Sequence, residues 1–322
     1  MHAAAGTPKT SRMSWTTEAV SVRILDKHEA VMRDVLSARF PSVRFVDSAA
    51  EASGLKVLMS FRPPTDEPLE AYDWVHSVGA GVDHLCEALS GSGPAPVITR
   101  TTGHMGQQIG EYCLGYALAH FQKMAVRRAL QAKAAWDKQD ASPHYMFDAS
   151  VAVVGTGSIG SGIARAFKAL GADVTGYSRS GTGRADFDRV LALDSFAAGR
   201  SPDVFILALP ATADTDGLID ASMLQALDGA LLINVGRGST LDHAALRAAL
   251  GAGHVSHAVL DVFEAEPLPR DDWRWAHPHV TVTPHVSGLT LPDDAVNRFC
   301  DLLEAYLDTG EPPASVDIQR GY

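Results

Sequence analysis

Short apolar runs alternate with helical patterns along the middle of the chain. The runs that predict strands are 151–154, 173–177, 204–209, 230–235, 257–262 and 281–283. From Ser158 to Leu170, apolar residues recur at the spacing of a helix, and Gly171 marks its end. Shorter helices are predicted near 221–227 and 242–250. Alternation of strand and helix repeated this often predicts a parallel sheet with helices on both faces.

The first hundred residues repeat this alternation on a smaller scale. Strands are predicted at 22–25, 43–46, 57–60, 74–77 and 97–99, with helices near 28–38 and 82–89. One long helix is predicted at 107–133 and another at 292–307. Because these two helices bracket the central sheet, they indicate two chain crossings between domains.

The crossings divide the chain into two predicted domains. One domain covers 102–289, and the other is discontinuous and combines 18–101 with 290–322. Residues 1–17 contain no acidic residue and no apolar segment, so they are expected to form a disordered leader, with Met13 as a plausible start site. The cleft between the two domains is the expected ligand site.

The composition of the 322-residue chain is that of a globular protein, with 46% hydrophobic and 20% charged residues. A formal net charge of −11 disfavours nucleic acids and anionic membranes as partners, because the field of the protein repels phosphate. Apolar runs such as 204–209 are far shorter than the roughly 20 residues of a membrane helix. Cys86, Cys113 and Cys300 lie far apart, which excludes a disulfide framework and a zinc ribbon. We therefore expect a reducing, cytoplasmic location and no metal centre.

A glycine-rich loop follows the strand at 151–154 and opens the next helix. Its sequence, GTGSIG from Gly155 to Gly160, matches the dinucleotide-binding pattern. Gly155 permits the tight turn, Gly157 lets the backbone approach a pyrophosphate, and Gly160 allows close packing of helix and strand. A bare structural turn is the alternative, but the strand–loop–helix–strand context favours a dinucleotide.

The residues after the second strand of this unit bear on the choice of cofactor. NAD-binding units usually end that strand with an acid that holds the ribose hydroxyls, and Asp173 does not fit because it begins the strand. The strand ends at Tyr177 and is followed by Ser178, Arg179 and Ser180. An arginine and two hydroxyls suit the 2′-phosphate of NADP(H). The alternatives are use of NAD(H) and a merely solvated loop charge at Arg179.

Three further segments follow predicted strands and carry candidate chemistry. They are 234–239 with Arg237, 260–267 with Glu266, and 283–288 with His285. Since ligands bind beyond the carboxyl ends of parallel strands, an arginine, a carboxylate and a histidine are expected to converge beside the cofactor. Taken singly, each has a plain alternative as a turn residue, a solvated acid or a packed histidine. Glu264 competes with Glu266 for the same role.

These motifs resemble those of a known family. VGTGSIG, NVGRGS, LDVFEAEPLP and TPHVSG, together with HSVGAGVDHL and GEYCLGYAL, resemble the D-isomer-specific 2-hydroxyacid dehydrogenases over nearly the whole chain beyond the leader. SRS at 178–180, AAW at 134–136 and WRWAHPHVTVTPH at 273–285 resemble the glyoxylate/hydroxypyruvate reductase A branch most. The resemblance implies an α/β chain of two Rossmann-like domains with parallel sheets and a cleft between them. One would be a flavodoxin-like substrate domain and the other a dinucleotide-binding domain.

The resemblance also implies a role for each candidate residue. Arg237 would grip the substrate carboxylate and polarise the keto oxygen, and His285 would protonate that oxygen with Glu266 as its partner. The turn Gly79-Ala80-Gly81 would bind the same carboxylate through backbone N–H groups. The residues implied to bind the cofactor are Gly155, Gly157, Ser158, Ile159, Gly160, Ser178, Arg179, Ser180, Leu209, Pro210, Thr215, Val235, Gly236 and Asp261, the last at the nicotinamide end.

The expected function is reduction of small 2-keto acids with NADPH, with glyoxylate and hydroxypyruvate as lead substrates. One alternative is the same chemistry on larger 2-keto acids, and another, of a different class, is a cofactor-sensing scaffold like the corepressors of this fold. Formate dehydrogenases of the superfamily carry glutamine where Glu266 stands, which disfavours formate oxidation. Val286 and Ser287 depart from the Gly-Ser that many relatives carry after the histidine. The resemblance further implies a homodimer with 107–133 at its interface, in which Trp136 either reaches the partner's active site or packs locally.

Overall fold

A computed structural model describes residues 19–89, 91, 93–314, 316–318 and 320–321, apart from the side chains of residues 197 and 198. The predicted leader, 1–17, lies outside the described residues. The chain divides into two compact units. The first comprises the chain up to Thr101 together with Ala295–Val316, and the second comprises Thr102–Asp294 with the residues from Asp317 on.

The strands and helices of both units are numbered in chain order. The strands are β1 Val20–Leu25, β2 Arg44–Phe45, β3 Leu55–Ser60, β4 Trp74–Ser77, β5 Val97–Arg100, β6 Ser150–Val154, β7 Asp173–Ser178, β8 Arg189–Ala192, β9 Val204–Leu207, β10 Ala230–Asn234, β11 Val255–Leu260 and β12 Val280–Val282. The helices are α1 Glu29–Arg39, α2 Asp83–Glu87, α3 Met105–Phe121, α4 Met124–Ala132, α5 Lys138–Ala141, α6 Ser158–Lys168, α7 Ala221–Gln225, α8 His243–Ala252 and α9 Pro292–Thr309.

The first unit contains a parallel sheet in the order β2-β1-β3-β4-β5, which is the flavodoxin-like order. Its core includes Val22, Val57 and Trp74 from the sheet, with Leu36 of α1 and Phe299 of α9 packed among them. Burying these apolar side chains together is the main favourable contribution to folding of the unit.

The second unit contains a parallel sheet in the order β12-β11-β10-β9-β6-β7-β8. Successive residues of β6 face opposite sides of it: Val151 and Val153 pack with α3 and α6, whereas Ala152 and Val154 pack with α7 and α8. The strand order reverses between β6 and β9, and this switch point is where doubly wound sheets bind ligands. Both sheets confirm the predicted α/β class with Rossmann-like units.

Two elements differ from the sequence prediction. The single helix predicted at 107–133 is wrong, because α3 ends at Phe121 and α4 begins at Met124, with Lys123 between them in the left-handed conformation at φ +47°. Helix α3 buries residues at a helical spacing down to Phe121, whereas no residue of α4 is buried. The strand β8 was not predicted, since its residues, Arg189–Ala192, form a short edge strand with little buried surface.

The described part of the chain includes no helix that is both long and apolar enough to cross a membrane. Cys86, Cys113 and Cys300 are free thiols. Among the described residues, no cluster of three or more histidine, cysteine, aspartate or glutamate side chains could hold a metal ion.

Candidate active site

The glycine loop lies at the switch point, between the end of β6 and the start of α6. Gly155 has φ +101°, and a Cβ there would lie 2.5 Å from the carbonyl oxygen of Ala208. A Cβ at Gly160 would lie 1.9 Å from the carbonyl oxygen of Gly155, so only glycine permits this turn. By contrast, a Cβ at Gly157 would meet no atom of the described residues within 4 Å. The open side at Gly157, next to the first N–H groups of α6 at Ser158 and Ile159, fits the phosphates of a dinucleotide.

The end of β7 lies next to this loop, because the N–H of Gly155 donates to the carbonyl of Tyr177 at 2.9 Å. Ser178 is the last residue of β7, and its Oγ accepts from the N–H of Gly181 at 3.2 Å. Arg179 is exposed and forms an ion pair with Asp214 at 3.2 Å. Thr182 donates to the Oγ of Ser180 through both its backbone N–H and its hydroxyl. The three polar residues therefore lie together at the adenosine end expected of the site.

Asp173 lies at the opposite end of β7 from Ser178. It opens the strand and pairs with Arg189 at 2.8 Å. An acid at the start of the strand is a full strand length from the glycine loop, which agrees with the expectation that Asp173 does not reach a cofactor ribose.

The other predicted cofactor residues follow β9 and β10, on the far side of the switch point. Leu209 and Pro210 follow β9 and are half-buried, while Val235 and Gly236 follow β10 and are buried. Thr215 stabilises its own loop: its hydroxyl donates to the carbonyl of Pro210 at 2.7 Å and accepts from the N–H of Thr212 at 2.9 Å. A direct contact between Thr215 and a cofactor stays a prediction.

Glu266 and His285 are brought together although 19 residues separate them. Nδ1 of His285 lies 2.8 Å from Oε2 of Glu266, and the other carboxylate oxygen, Oε1, accepts from the N–H of Phe263 at 2.9 Å. Both side chains remain partly exposed, at 43% for His285 and 36% for Glu266. The competing acid, Glu264, does not contact His285 and instead lies 4.0 Å from Nε2 of His243. The geometry thus separates the two glutamates that the sequence left as alternatives.

The loop that carries His285 is held by Asp261, whose side chain is completely buried. Its Oδ1 accepts from the hydroxyl of Thr283 at 2.6 Å and from the N–H of Val286 at 2.9 Å, and its Oδ2 accepts from the N–H of Ser287 at 2.9 Å. The N–H of His285 donates to the backbone carbonyl of Asp261 at 2.9 Å. His285 itself has φ +52°, a conformation that costs free energy for a residue other than glycine and therefore needs such support. Asp261 positions the histidine loop, and its predicted contact with a nicotinamide stays a prediction.

Tyr112 extends this support from helix α3. Because the single hydroxyl proton of Thr283 is donated to Asp261, the hydroxyl of Tyr112 is the donor in its 2.6 Å contact with Thr283. Burial raises the pKa of Tyr112, which keeps this proton in place. Tyr112 and Thr283 lie in two of the segments that carry the family resemblance, 110–118 and 283–288, but the sequence predicted no site role for either residue.

Arg237 follows β10, and Glu266 follows β11, which is the neighbouring strand of the sheet. Its guanidinium is half-buried, and Nη1 donates to the carbonyl of Gly236 at 2.8 Å. Asn234 shapes this loop, since its side-chain amide donates to the carbonyl of Arg237 and its Oδ1 accepts from the N–H of Gly236, both at 3.1 Å. Arg237, Glu266 and His285 therefore stand after three neighbouring strands, in the order β10, β11 and β12.

The predicted substrate turn belongs to the first unit, directly after β4. The hydroxyl of Ser77 lies 3.1 Å from the carbonyl of Gly79 and 3.0 Å from that of Gly81. Nη1 of Arg100 donates to the carbonyl of Ala80 at 3.2 Å. The carbonyl oxygens of the turn are thus tied to residues of its own unit.

Comparisons with known proteins show which family the chain resembles. The family model described as D-isomer specific 2-hydroxyacid dehydrogenase, NAD binding domain, matches residues 114–287. The chain is 34% identical over 262 residues to glyoxylate/hydroxypyruvate reductase A of Serratia proteamaculans. The alignment covers 77% of this chain and 81% of that protein.

Two solved structures resemble most of the chain. A D-isomer specific 2-hydroxyacid dehydrogenase of Xanthobacter autotrophicus, in complex with NADPH and MES, matches with a TM-score of 0.81 at 29% identity, over 94% of this chain and 100% of that one. An NADPH-dependent glyoxylate/hydroxypyruvate reductase of Sinorhizobium meliloti, in complex with NADP and sulfate, matches with a TM-score of 0.76 at 26% identity over the same shares. With a family model spanning more than half of its residues and a relative that shares a third of its aligned positions, the chain belongs to the D-isomer specific 2-hydroxyacid dehydrogenase family.

Proposed function

We propose that this chain reduces small 2-keto acids to 2-hydroxy acids with NADPH, and that glyoxylate and hydroxypyruvate are its preferred substrates. The hydrogen-bonded pair of Glu266 and His285, at the sheet edge that also bears Arg237, is the observation that carries the proposal. A histidine with a carboxylate partner can deliver a proton, and an arginine can recognise a carboxylate. The similar proteins named above, which act on these substrates or hold NADPH, support the same assignment.

The residues at the switch point would hold the cofactor. The N–H groups of the loop from Gly155 to Gly160 would bind the pyrophosphate, and Ser178, Arg179 and Ser180 would bind the 2′-phosphate. A bound nicotinamide supplies the hydride that the substrate's carbonyl carbon gains. An arginine and two serines stand at the end of β7 in place of an acid, and they favour NADP(H) over NAD(H). The enzyme would be slower with NADH than with NADPH.

Arg237 and His285 would act on the substrate. Arg237 binds the carboxylate and draws electron density from the neighbouring carbonyl oxygen. Because Nδ1 of His285 donates to Glu266, Nε2 is the nitrogen that gives its proton to that oxygen. The carbonyl group becomes a hydroxyl group, and the imidazole is left neutral until a proton from solvent returns to Nε2.

The carboxylate partner would keep His285 ready for this step. Oε2 of Glu266 contacts Nδ1 of His285, and its second oxygen is anchored by the N–H of Phe263, so the histidine ring is held in one orientation. In the reverse direction, neutral His285 would accept the proton of a D-2-hydroxy acid.

We also propose that the protein is a cytoplasmic homodimer. Met124 and Val126 of α4 are exposed, and Trp136 is 91% exposed. Met124 and Val126 also line a cavity of about 1120 Å³, together with residues that include Tyr116 and His257. Exposed apolar side chains next to a large cavity favour a protein partner, here a second copy. Light scattering of the purified protein tests this directly, and a monomer would contradict it.

Turnover assays test the proposed activity. Hydroxypyruvate and glyoxylate are compared with phenylpyruvate and 2-ketoisovalerate, each with NADPH and with NADH. The two small acids should give the highest kcat/KM, and NADPH should be preferred. Faster reduction of the larger acids would favour the alternative substrate class. No turnover of any 2-keto acid would overturn the enzymatic proposal and favour the scaffold alternative.

A further inference from the structure

A buried ionic cluster lies behind the loops of the candidate active site. Arg274 is 7% exposed, and Asp272 accepts three hydrogen bonds from it: from Nε at 2.8 Å, from Nη2 at 2.7 Å and from its backbone N–H at 2.9 Å. The remaining guanidinium nitrogen, Nη1, lies 3.0 Å from Nδ1 of His243, the first residue of α8. Arg274 lies in the segment 273–285 that carries part of the family resemblance, but the sequence predicted no role for any of these three residues, which are up to 31 positions apart.

The contact with Arg274 fixes the protonation of His243. An arginine can only donate, so Nδ1 of His243 is the acceptor and Nε2 carries the proton. Nε2 therefore donates to the carbonyl oxygen of Gly238, 3.2 Å away. Burial first, and then the charge of Arg274, lower the pKa of His243, whereas Glu264 and Asp272 oppose this shift. The neutral tautomer that binds Gly238 is therefore the stable one.

Gly238 is the point at which two active-site loops meet. It directly follows Arg237, and a Cβ on it would lie 2.0 Å from the carbonyl carbon of Phe263 and 2.4 Å from the nitrogen of Glu264. The loop of Arg237 thus packs directly on the backbone of the loop that bears Glu266. Phe263 contacts both the candidate active site and the buried cluster, since its N–H anchors Glu266 and its ring lies 5.2 Å from the guanidinium of Arg274.

We propose that Asp272, Arg274 and His243 form a positioning network for the reduction. By holding Gly238 against the 263–264 backbone, the network sets the place of Arg237 relative to Glu266, and through Glu266 that of His285. The network itself does not touch the substrate. This inference rests on the proposed function, because it assigns a purpose to the spacing between substrate-binding and proton-donating groups.

Three variants test the network. His243→Leu removes both hydrogen bonds. His243→Gln keeps them in part, because the amide can donate to Gly238 and accept from Arg274. Leu246→Val, at another buried position of the same helix, is the matched control that loosens packing without removing a hydrogen bond to Gly238.

In His243→Leu, kcat/KM for hydroxypyruvate should fall about ten- to hundredfold, because displacements of about 1 Å in reacting groups have effects of this size. The KM for NADPH should change less than kcat/KM, since the loops of Gly155 and Ser178 follow β6 and β7, whereas the network holds the loop after β10. His243→Gln should recover most of the loss, and Leu246→Val should lower the Tm without changing kcat/KM. A folded His243→Leu protein with unchanged kcat/KM would overturn the proposal.

Hydrogen–deuterium exchange separates this inference from the proposed function. In His243→Leu, the segments 236–241 and 262–267 should exchange faster, while 151–160 should not change. If the unaltered protein reduces no 2-keto acid and yet shows this pattern, the proposed function fails and the network still holds the loops. If the unaltered protein is active and neither segment changes its exchange rate, the network inference fails alone.

Discussion

Oε2 of Glu266 lies 2.8 Å from Nδ1 of His285, so the carboxylate that follows β11 holds the imidazole that follows β12. The same carboxylate is anchored through its other oxygen by the N–H of Phe263 at 2.9 Å. Glu266 is therefore fixed on both sides, and the ring of His285 is presented with Nε2 available for chemistry.

Replacing His285 by alanine should remove most of the reduction rate. A positioned general acid contributes roughly 10²–10⁴-fold, and His285 lies within hydrogen-bond distance of Oε2 of Glu266. Steady-state turnover of hydroxypyruvate measures the loss, and the KM for NADPH should change little. A variant that retains more than about a tenth of the rate would contradict the role of His285 as the proton donor.

Glu266→Gln should lower the rate of reduction. The amide keeps the size of the side chain but loses the carboxylate charge that faces Nδ1 of His285. The kcat for hydroxypyruvate measures the loss. Glu264→Gln is the matched control, because Glu264 lies beside His243 and not His285. Equal kcat values for the unaltered protein and Glu266→Gln would contradict the role of Glu266 as the partner of His285.

Arg237→Lys should weaken the preference for acids over matched non-acids. In the unaltered enzyme, glyoxylate and hydroxypyruvate should be reduced at least about a hundredfold better than glycolaldehyde and hydroxyacetone, because the non-acids lack the carboxylate that the guanidinium would bind, and loss of a charged hydrogen-bonded group costs about 2–5 kcal/mol. Lysine keeps the charge but loses the planar pair of donors, so much of this advantage should disappear. Comparable turnover of acids and non-acids by the unaltered enzyme would rule out the proposed role of Arg237.

Arg179→Ala should raise the KM for NADPH about ten- to hundredfold, because hydrogen bonds to a charged group contribute roughly 1.5–3 kcal/mol. The KM for NADH should stay nearly constant. A change at Asp214 should have the opposite effect, since the ion pair of Asp214 with Arg179 competes with a phosphate for the guanidinium. Asp214→Asn should therefore lower the KM for NADPH. Equal use of both cofactors by the unaltered enzyme would exclude a phosphate-binding role for Arg179.

Stability should fall in mild acid because of buried histidines. Burial, followed by the charge of Arg298, lowers the pKa of His76 to about 3 from the ordinary value of 6.5, and its ring contacts Thr99 at 2.7 Å and Thr101 at 3.0 Å. The folded state therefore binds fewer protons than the unfolded state below pH 6.5. The free energy of unfolding is therefore unaffected by the titration of His76 above pH 6.5. It decreases as the pH falls from 6.5 toward 3, by up to about 1.4 kcal/mol per pH unit.

Urea unfolding of His76→Gln checks this effect. The free energy of unfolding of the variant should depend less steeply on pH between 6.5 and 4 than that of the unaltered protein. Burial likewise lowers the pKa of His257 to about 4 in the second unit, so some acid sensitivity should remain in the variant. Parallel stability curves for the two proteins would mean that His76 does not contribute.

The pattern of apolar and polar residues along the chain determined most of its strands and helices. Apolar alternation and helical spacing depend on neighbouring residues only, and they predicted strands such as β4, Trp74–Ser77, at their observed bounds. The glycine loop was equally local, because the turn from β6 to α6 excludes any side chain at Gly155 and Gly160. The break at Lys123 carried no local signal, since neither glycine nor proline stands there and only the end of the packing surface at Phe121 stops the helix.

Tertiary structure decided what the candidate side chains touch. The sequence placed Arg237, Glu266 and His285 after three strands, but only the strand order made those strands neighbours, and loop geometry placed Glu266 rather than Glu264 against His285. The supports of the site, from Asp261 under the histidine loop to the link from Arg274 through His243, join residues 22 to 31 positions apart. Hydrogen bonds of this kind depend on distances that arise only when the sheet has folded, and no spacing in the sequence encodes them.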